Sequence, residues 1–257
     1  MKVSVVTVCR NAERVLPGAL ASLQCQSYAD REWVVIDGAS TDRTIRIVKS
    51  SDERLGNWVS EPDTGIYNAM NKGWQRATGD IVYFLNADDA FSDASVLESV
   101  AALFEADPAL DLAIGEVIYR HLDGARTRRS FSHLGRTTIV FEDLCHQAVF
   151  ARRRLFERIG GFNETYRINA DFDWLIRVFR SNSKIRWLHY PVANFSDGGA
   201  HTRDRNKLVA ERRQVRLQYV SPLALSTGLF LGKVINRLHR VVRGRRIGHW
   251  SLEGTRG

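Results

Sequence analysis

Asn86-Ala87-Asp88-Asp89 follows directly on the apolar run Ile81-Val82-Tyr83-Phe84-Leu85. Two adjacent carboxylates at the end of a buried strand repel one another and lose hydration, and such a pair is relieved by a cation or a polar ligand. Hard oxygen ligands of this kind suit Mg²⁺ or Mn²⁺ held together with a substrate diphosphate. The same dipeptide also serves as an ordinary loop start or helix N-cap, with Ser92-Asp93 close behind. Two more polar segments end apolar runs in the same way: Thr7-Val8-Cys9-Arg10-Asn11 and Asp37-Gly38-Ala39-Ser40.

The elements that must carry these residues alternate. Val3–Val8 and Trp33–Ile36 read as strands buried on both faces, Asn57–Ser60 as a short third strand and Ile81–Leu85 as a fourth. Between them, Arg14–Gln26 carries an apolar stripe at helical spacing, Thr41-Asp42 caps a short helix, and Ile66–Ala77 reads as a helix stopped at Gly79. Ser95-x-x-Glu98 matches a capping box for a helix running to about Phe104. This βαβαβαβα order predicts an α/β fold with a mostly parallel, doubly wound central sheet, in which ligands bind beyond the carboxyl ends of the strands. The three polar strand ends are therefore expected on one edge.

The second half changes character. Leu112–Tyr119 and Arg126–Phe131 flank Asp123-Gly124 as a hairpin, Arg153–Ile159 and Phe172–Phe179 read as helices, and Ile185–His189 as a strand. Beyond Pro191 the chain turns polar, then basic and helical. The reading divides it into residues 1–205, with a nucleotide-binding half (1–105) and an acceptor or catalytic half (106–205), and a basic helical extension, 206–257.

A chain of 257 residues can bury a sizeable core. Its net charge of +8 is local: Arg203–Arg246 holds twelve Lys/Arg against two acids, and the remainder 25 against 27. No apolar run is long enough to span a bilayer, and the N-terminus starts at once as a strand with no leader pattern, so a cytoplasmic protein is expected. Cys9, Cys25 and Cys145 stand at no metal-like spacing and read as reduced thiols.

Five segments in order resemble glycosyltransferase family 2, the inverting nucleotide-sugar transferases of GT-A fold. They are Val3–Asn11, Val34–Asp42, Ser60–Gly73, Phe84–Asp89, and Gly160-Gly161-Phe162-Asn163-Glu164 leading to Asp171-Phe172-Asp173. The resemblance covers about residues 3–200 and implies roles. Asp37, Thr7 and Cys9 would line the nucleoside pocket, Asp63 would meet ribose or sugar, and Lys72 would offset diphosphate charge. Asp88 would hold ribose or a metal-bound water, and Asp89 the cation, Mn²⁺ or Mg²⁺, that stabilises the leaving diphosphate. Asp171 would be the general base that takes the proton of the acceptor hydroxyl, with Asp173 structural. His201 is a further candidate metal ligand, and His146 and Gln147 are secondary candidates. The family's common Asp-x-Asp-Asp is Asn86-Ala87-Asp88-Asp89 here, and its Glu-Asp is Ala170-Asp171.

The implied partners are a nucleoside-diphosphate sugar and a saccharide acceptor, lipid-linked in surface polysaccharide synthesis. From Leu217 to Ile247 an apolar series accompanies clustered arginines, a composition able to lie on an anionic membrane or to form a packed helix with a solvated basic tail. Three other readings compete: a nucleotidyltransferase on a similar sheet, whose Gly-rich phosphate loop Cys9-Arg10-Asn11-Ala12-Glu13 does not supply; a nucleic-acid or membrane binder acting through that tail, which leaves the acidic strand ends unexplained; and a transferase-like protein that binds without turnover.

Overall fold

The computed structural model describes residues 1–51, 56–121, 123–196 and 205–229. Four strands, β1 (Val3–Cys9), β2 (Arg31–Asp37), β3 (Gly56–Ser60) and β4 (Ile81–Phe84), pair in parallel in the order β3-β2-β1-β4. They are linked by α1 (Leu16–Gln24), α2 (Thr44–Lys49) and α3 (Ile66–Arg76). Every residue of β1 is buried, which is why its sequence is unbroken Val, Ser, Thr and Cys rather than alternating. Successive side chains still serve opposite cores. Val3 and Val5 pack in one cluster with Leu16 and Leu23 of α1, while Val6 and Val8 pack in another with Tyr67 and Met70 of α3. Close approach of α3 requires Gly73, since a Cβ there would lie 2.3 Å from Val6 Cγ1.

Beyond β4 the sheet becomes mixed. β5 (Ala90–Phe91) and α4 (Val96–Ala106) precede the hairpin β6 (Leu112–Arg120) and β7 (Arg126–Arg129), then come β8 (Val149–Arg152), α5 (Arg153–Ile159), α6 (Ala170–Arg180), β9 (Ile185–Ser196) and α7 (Arg205–Tyr219). β8 lies antiparallel between β4 and β6, β9 runs parallel to β6, and β5 closes the order against β9. That last pairing fixes the turn after β4, because β5 begins immediately after Asp89. The hairpin turns at Gly124, at φ +85°.

The structure departs from the sequence reading at several places. β9 does not stop before Pro191 but continues to Ser196, with the proline taken up at a register shift opposite Glu116. The capping box at Ser95 does not form: Ser95 Oγ donates to Asp93, and Glu98 accepts from Ser27 instead. Gly79 is not a helix stop. α3 ends at Arg76, capped by Ala77, and Gly79 lies so close to the start of β1 that a Cβ would sit 2.7 Å from the Lys2 carbonyl. α6 begins at Ala170, so Asp171 lies inside its first turn rather than before it.

α7 packs on α6. Val215 is fully buried, Arg212 and Arg216 stack on Phe172, and Glu211 accepts from the backbone N–H groups of Arg167, Ile168 and Asn169 just ahead of α6. Residues 222–229 are helical. The remainder of the basic segment lies outside the described residues. Among the described residues no helix is long and apolar enough to cross a membrane.

Candidate active site

A cleft of about 570 Å³ opens beyond the carboxyl ends of β1 and β4, within the size range of small-molecule sites. It is lined by Cys9, Arg10, Asn11 and Asp88, by Tyr67, His146, Gln147 and Asp171, and by Arg129, Arg167 and Arg212. Acids separated by more than eighty positions in the chain thus face one space.

The loops after β1 and β2 are interlocked. Gly38 N–H donates to the Cys9 carbonyl (2.9 Å), Asn11 N–H to Ser40 Oγ (2.7 Å), and Thr41 N–H to Asn11 Oδ1 (2.9 Å). Asn11 and Ala39 both take left-handed backbone, at φ +52° and +55°. For Ala39 this costs roughly 1 kcal/mol, a strain held by the surrounding bonds. Asp37 is fully buried and organises this loop: its oxygens accept from Ser40 N–H, Ser40 Oγ and Ser60 Oγ. Thr7 is likewise fully buried and accepts from Trp33 Nε1 at 2.9 Å. Neither Asp37 nor Thr7 lines the cleft, whereas Cys9 does. Burial, then the Asp37 charge, pushes the Cys9 thiol up to about 12, and burial raises Cys145 as well, which keeps both thiols protonated near neutral pH.

Asp63 and Lys72 also stand off the cleft wall. Asp63 Oδ1 accepts from Gly65 N–H at 2.9 Å, and its other oxygen packs where a side chain on Gly38 would be. Lys72 spends its charge on Glu61 at 2.7 Å, so it is not a free cation directed at the cleft.

The acidic pair divides. Asp88 lines the cleft, while Asp89, 2% exposed, lies beneath, accepting from Ser196 N–H (3.0 Å) and Gln147 Nε2 (2.8 Å). Burial and the Asp88 charge push Asp89 up to about 7, against the pull of Ser196, Gln147 and His146. Gln147 is therefore an anchor for Asp89, held in turn by the Cys145 thiol. Among the described residues no three His, Cys, Asp or Glu side chains converge as a metal cage. His201 lies outside the described residues. A buried carboxylate raised by the charge beside it fits a divalent cation that completes its shell with phosphate oxygens and water.

Asp171 reaches the cleft from the head of α6. Its Oδ1 receives the Tyr67 hydroxyl (2.7 Å) and Phe172 N–H (2.9 Å), and its Oδ2 receives His146 Nδ1 (2.9 Å). Burial raises its pKa, but His146, Tyr67 and the Phe172 N–H outweigh burial and hold it below the usual carboxylate value. Asp173, two residues on, is bound to Arg177 and Tyr219 instead, tying α6 to α7. Tyr67 escaped the sequence reading because it looks like any aromatic on the buried face of a helix. Arg129, Arg167 and Arg212 escaped because only the fold brings β7, the segment ahead of α6, and α7 to one rim.

A mixed sheet with this strand order and this cleft defines a GT-A glycosyltransferase fold. Staphylococcus aureus TarS 1–349, solved with UDP-GlcNAc, superposes with a TM-score of 0.69 at 19% identity, over 94% of this chain and 73% of that one. The chain spans 44% of a longer TarS chain. The mannosyltransferase PcManGT of Pyrobaculum calidifontis, solved with GDP-Man and Mn²⁺, gives 0.62 at 19% identity, over 94% and 75%. Residues 4–181 match Glycosyl transferase family 2. A PGL/p-HBAD biosynthesis glycosyltransferase of Mycobacterium bovis is 35% identical over 242 residues, 92% of this chain and 90% of that protein. The O-antigen biosynthesis protein RfbC of Myxococcus xanthus is 30% identical over 79% of this chain and 16% of its own length. The chain belongs to glycosyltransferase family 2.

Proposed function

We propose that this glycosyltransferase moves a sugar, with inversion, from a nucleoside diphosphate to a hydroxyl of a saccharide acceptor in glycan biosynthesis. The observation that carries the reading is the convergence of Asp88 and Asp171 on one cleft at the strand ends, one beside a destabilised partner carboxylate and the other held as an anion. UDP-GlcNAc and GDP-Man in the similar structures support a nucleotide-sugar donor, and the names of the PGL and O-antigen relatives support glycan synthesis.

In this reading the interlocked loops of β1 and β2 take the nucleoside. Thr7 and Asp37 shape them from below, Cys9 borders the space, and Asp63 acts on it from behind Gly38. Lys72, paired with Glu61, acts on the diphosphate only by its field. Asp88 holds ribose, and Asp89, with His201, the divalent cation. When bound, Mg²⁺ or Mn²⁺ would supply charge stabilisation for the departing diphosphate. The acceptor oxygen bonds to the anomeric carbon as its proton passes to Asp171, and the bond to the diphosphate breaks with its electron pair leaving on the phosphate. A carboxylate held low is a weak base, suited to a proton that moves late, when the attacking oxygen has become acidic. The basic, Leu- and Val-bearing C-terminal sequence supports a lipid-linked acceptor at an anionic membrane face.

Calorimetric binding of UDP, GDP, dTDP and CMP, each with Mn²⁺ and with EDTA, tests the donor site. One diphosphate should bind tightly, need the metal, and fail to bind Asp89→Ala. Binding of none of them would overturn the reading.

A further inference from the structure

Resting on that reading, we infer that His146 and Tyr67 are positioning residues for the transfer step: together they clamp the Asp171 carboxylate in one orientation and in its anionic form. The count of lone pairs gives the orientation. A carboxylate offers about four acceptor sites, two on each oxygen. Oδ1 is filled by the Tyr67 hydroxyl and the Phe172 N–H, while Oδ2 holds only the His146 donor. The vacancy for an incoming hydroxyl proton is therefore on Oδ2.

The two clamps work differently. His146 Nδ1 donates to Oδ2, and among the described residues its buried Nε2 has no partner. The ring therefore turns Nδ1, its one hydrogen-bonded nitrogen, toward Asp171. His146 also lines a void of about 20 Å³ behind the cleft, walled otherwise by Val82, Phe84, Phe156, Trp174 and other apolar groups besides Asp171. That apolar backing provides nothing to draw the ring away from Asp171.

Tyr67 has one hydroxyl hydrogen and two acceptors within reach, Asp171 Oδ1 at 2.7 Å and the Ile168 carbonyl at 2.6 Å. Burial and the Asp171 charge keep the phenol protonated. While Asp171 is ionised, the charge draws the hydrogen to it, because bonds to ionised acceptors are the stronger ones. Once Asp171 has taken the acceptor proton, its pull falls and the hydrogen can turn to Ile168. Both protonation states of Asp171 are then hydrogen-bonded, so neither strands a buried polar group.

The charged and titratable groups around this cluster include Arg10 after β1, Asp88 and Asp89 after β4, Arg129 on β7, Asp143 and Cys145 ahead of His146, Arg167 ahead of α6, and Glu211 and Arg212 on α7. None of them is altered in the test. ¹³C-carboxyl NMR follows the titration of Asp171 in wild type, His146→Leu, His146→Gln and Tyr67→Phe, independently of activity. In parallel, nucleoside diphosphate release is measured from whichever sugar nucleotide the protein binds, with water as acceptor. The clamp predicts that Asp171 titrates at higher pH in His146→Leu and in Tyr67→Phe. In His146→Leu kcat should fall roughly a hundredfold, the cost of misplacing a reacting group, with donor KM unchanged. His146→Gln, whose amide can still donate, should recover part of both. An Asp171 titration unmoved by either substitution would overturn the inference even if the protein is an active transferase. A shifted titration in a protein that turns over no sugar nucleotide would overturn both the inference and the functional reading.

Discussion

Asp89, buried at the turn after β4, and Asp171, half-buried in the first turn of α6, are two carboxylates beside one cleft whose pKa values move in opposite directions. Burial is the largest influence on each and acts upward on both. The sign is decided by neighbours. Asp89 has the Asp88 charge beside it and two donors, and stays raised near 7. Asp171 has three donors, one an imidazole and one a phenol, and is pulled below its usual value. Where donors win, the group stands ready as an anion. Where they lose, the site has unmet demand for positive charge, which a divalent cation can satisfy.

The largest effect that could break this comparison is on turnover. Asp171→Asn keeps the shape of the side chain but cannot take a proton, and should reduce transfer by about 10²–10⁴ while calorimetric donor binding persists. Retained activity would remove Asp171 as the base. Next in size is Asp89→Asn, which should abolish metal-dependent nucleotide binding. The same variant tests the electrostatics without any ligand. A carboxyl whose folded pKa is raised from 3.8 to about 7 stabilises the fold when protonated, and that contribution disappears as pH climbs through this window. Metal-free wild type should therefore melt at progressively lower temperature from about pH 4 to 7, whereas Asp89→Asn should show a flatter profile. Equal slopes would mean that Asp89 is not strained as described.

How much of this was legible depended on how local the cause was. Buried runs such as Val3–Val8 and Ile81–Leu85 announce strands because nearly every residue is apolar or β-branched, and Asp88-Asp89 follows by position. The C-terminal part of β9 was hidden by Pro191, which is tolerated only because the ladder shifts register there. Ser95 and Glu98 have the spacing of a capping box, yet Asp93 and Ser27 compete successfully for them. Lys72 looked available, but Glu61 claims it. The Tyr67–Asp171–His146 cluster joins three elements far apart in the chain, and no spacing rule reaches across such gaps.

Two smaller effects separate the site from its scaffold. Gly73→Ala would place a Cβ 2.3 Å from Val6 Cγ1, pushing α3, and Tyr67 with it, away from the sheet. Overpacking of this kind costs about 1–3 kcal/mol, readable as a lower urea midpoint. The smallest effect on function is expected at Glu32, near the amino end of β2 and opposite the cleft. Burial raises it, but Lys2, Ser4 and Thr78 together bring it down to about 2, the same balance that governs Asp171. Its contribution to stability is complete above its unfolded value of 4.5 and disappears as pH falls toward 2. Glu32→Gln should therefore unfold more readily at neutral pH, by about 1–3 kcal/mol for the donors left poorly matched, and should lose less stability than wild type between pH 4.5 and 2. Donor binding and turnover should not change. If they do, the two ends of the sheet are coupled. If they do not, a depressed carboxylate is shown to be no mark of function by itself: what distinguishes Asp171 is that its one open lone pair faces a cleft shared with Asp88.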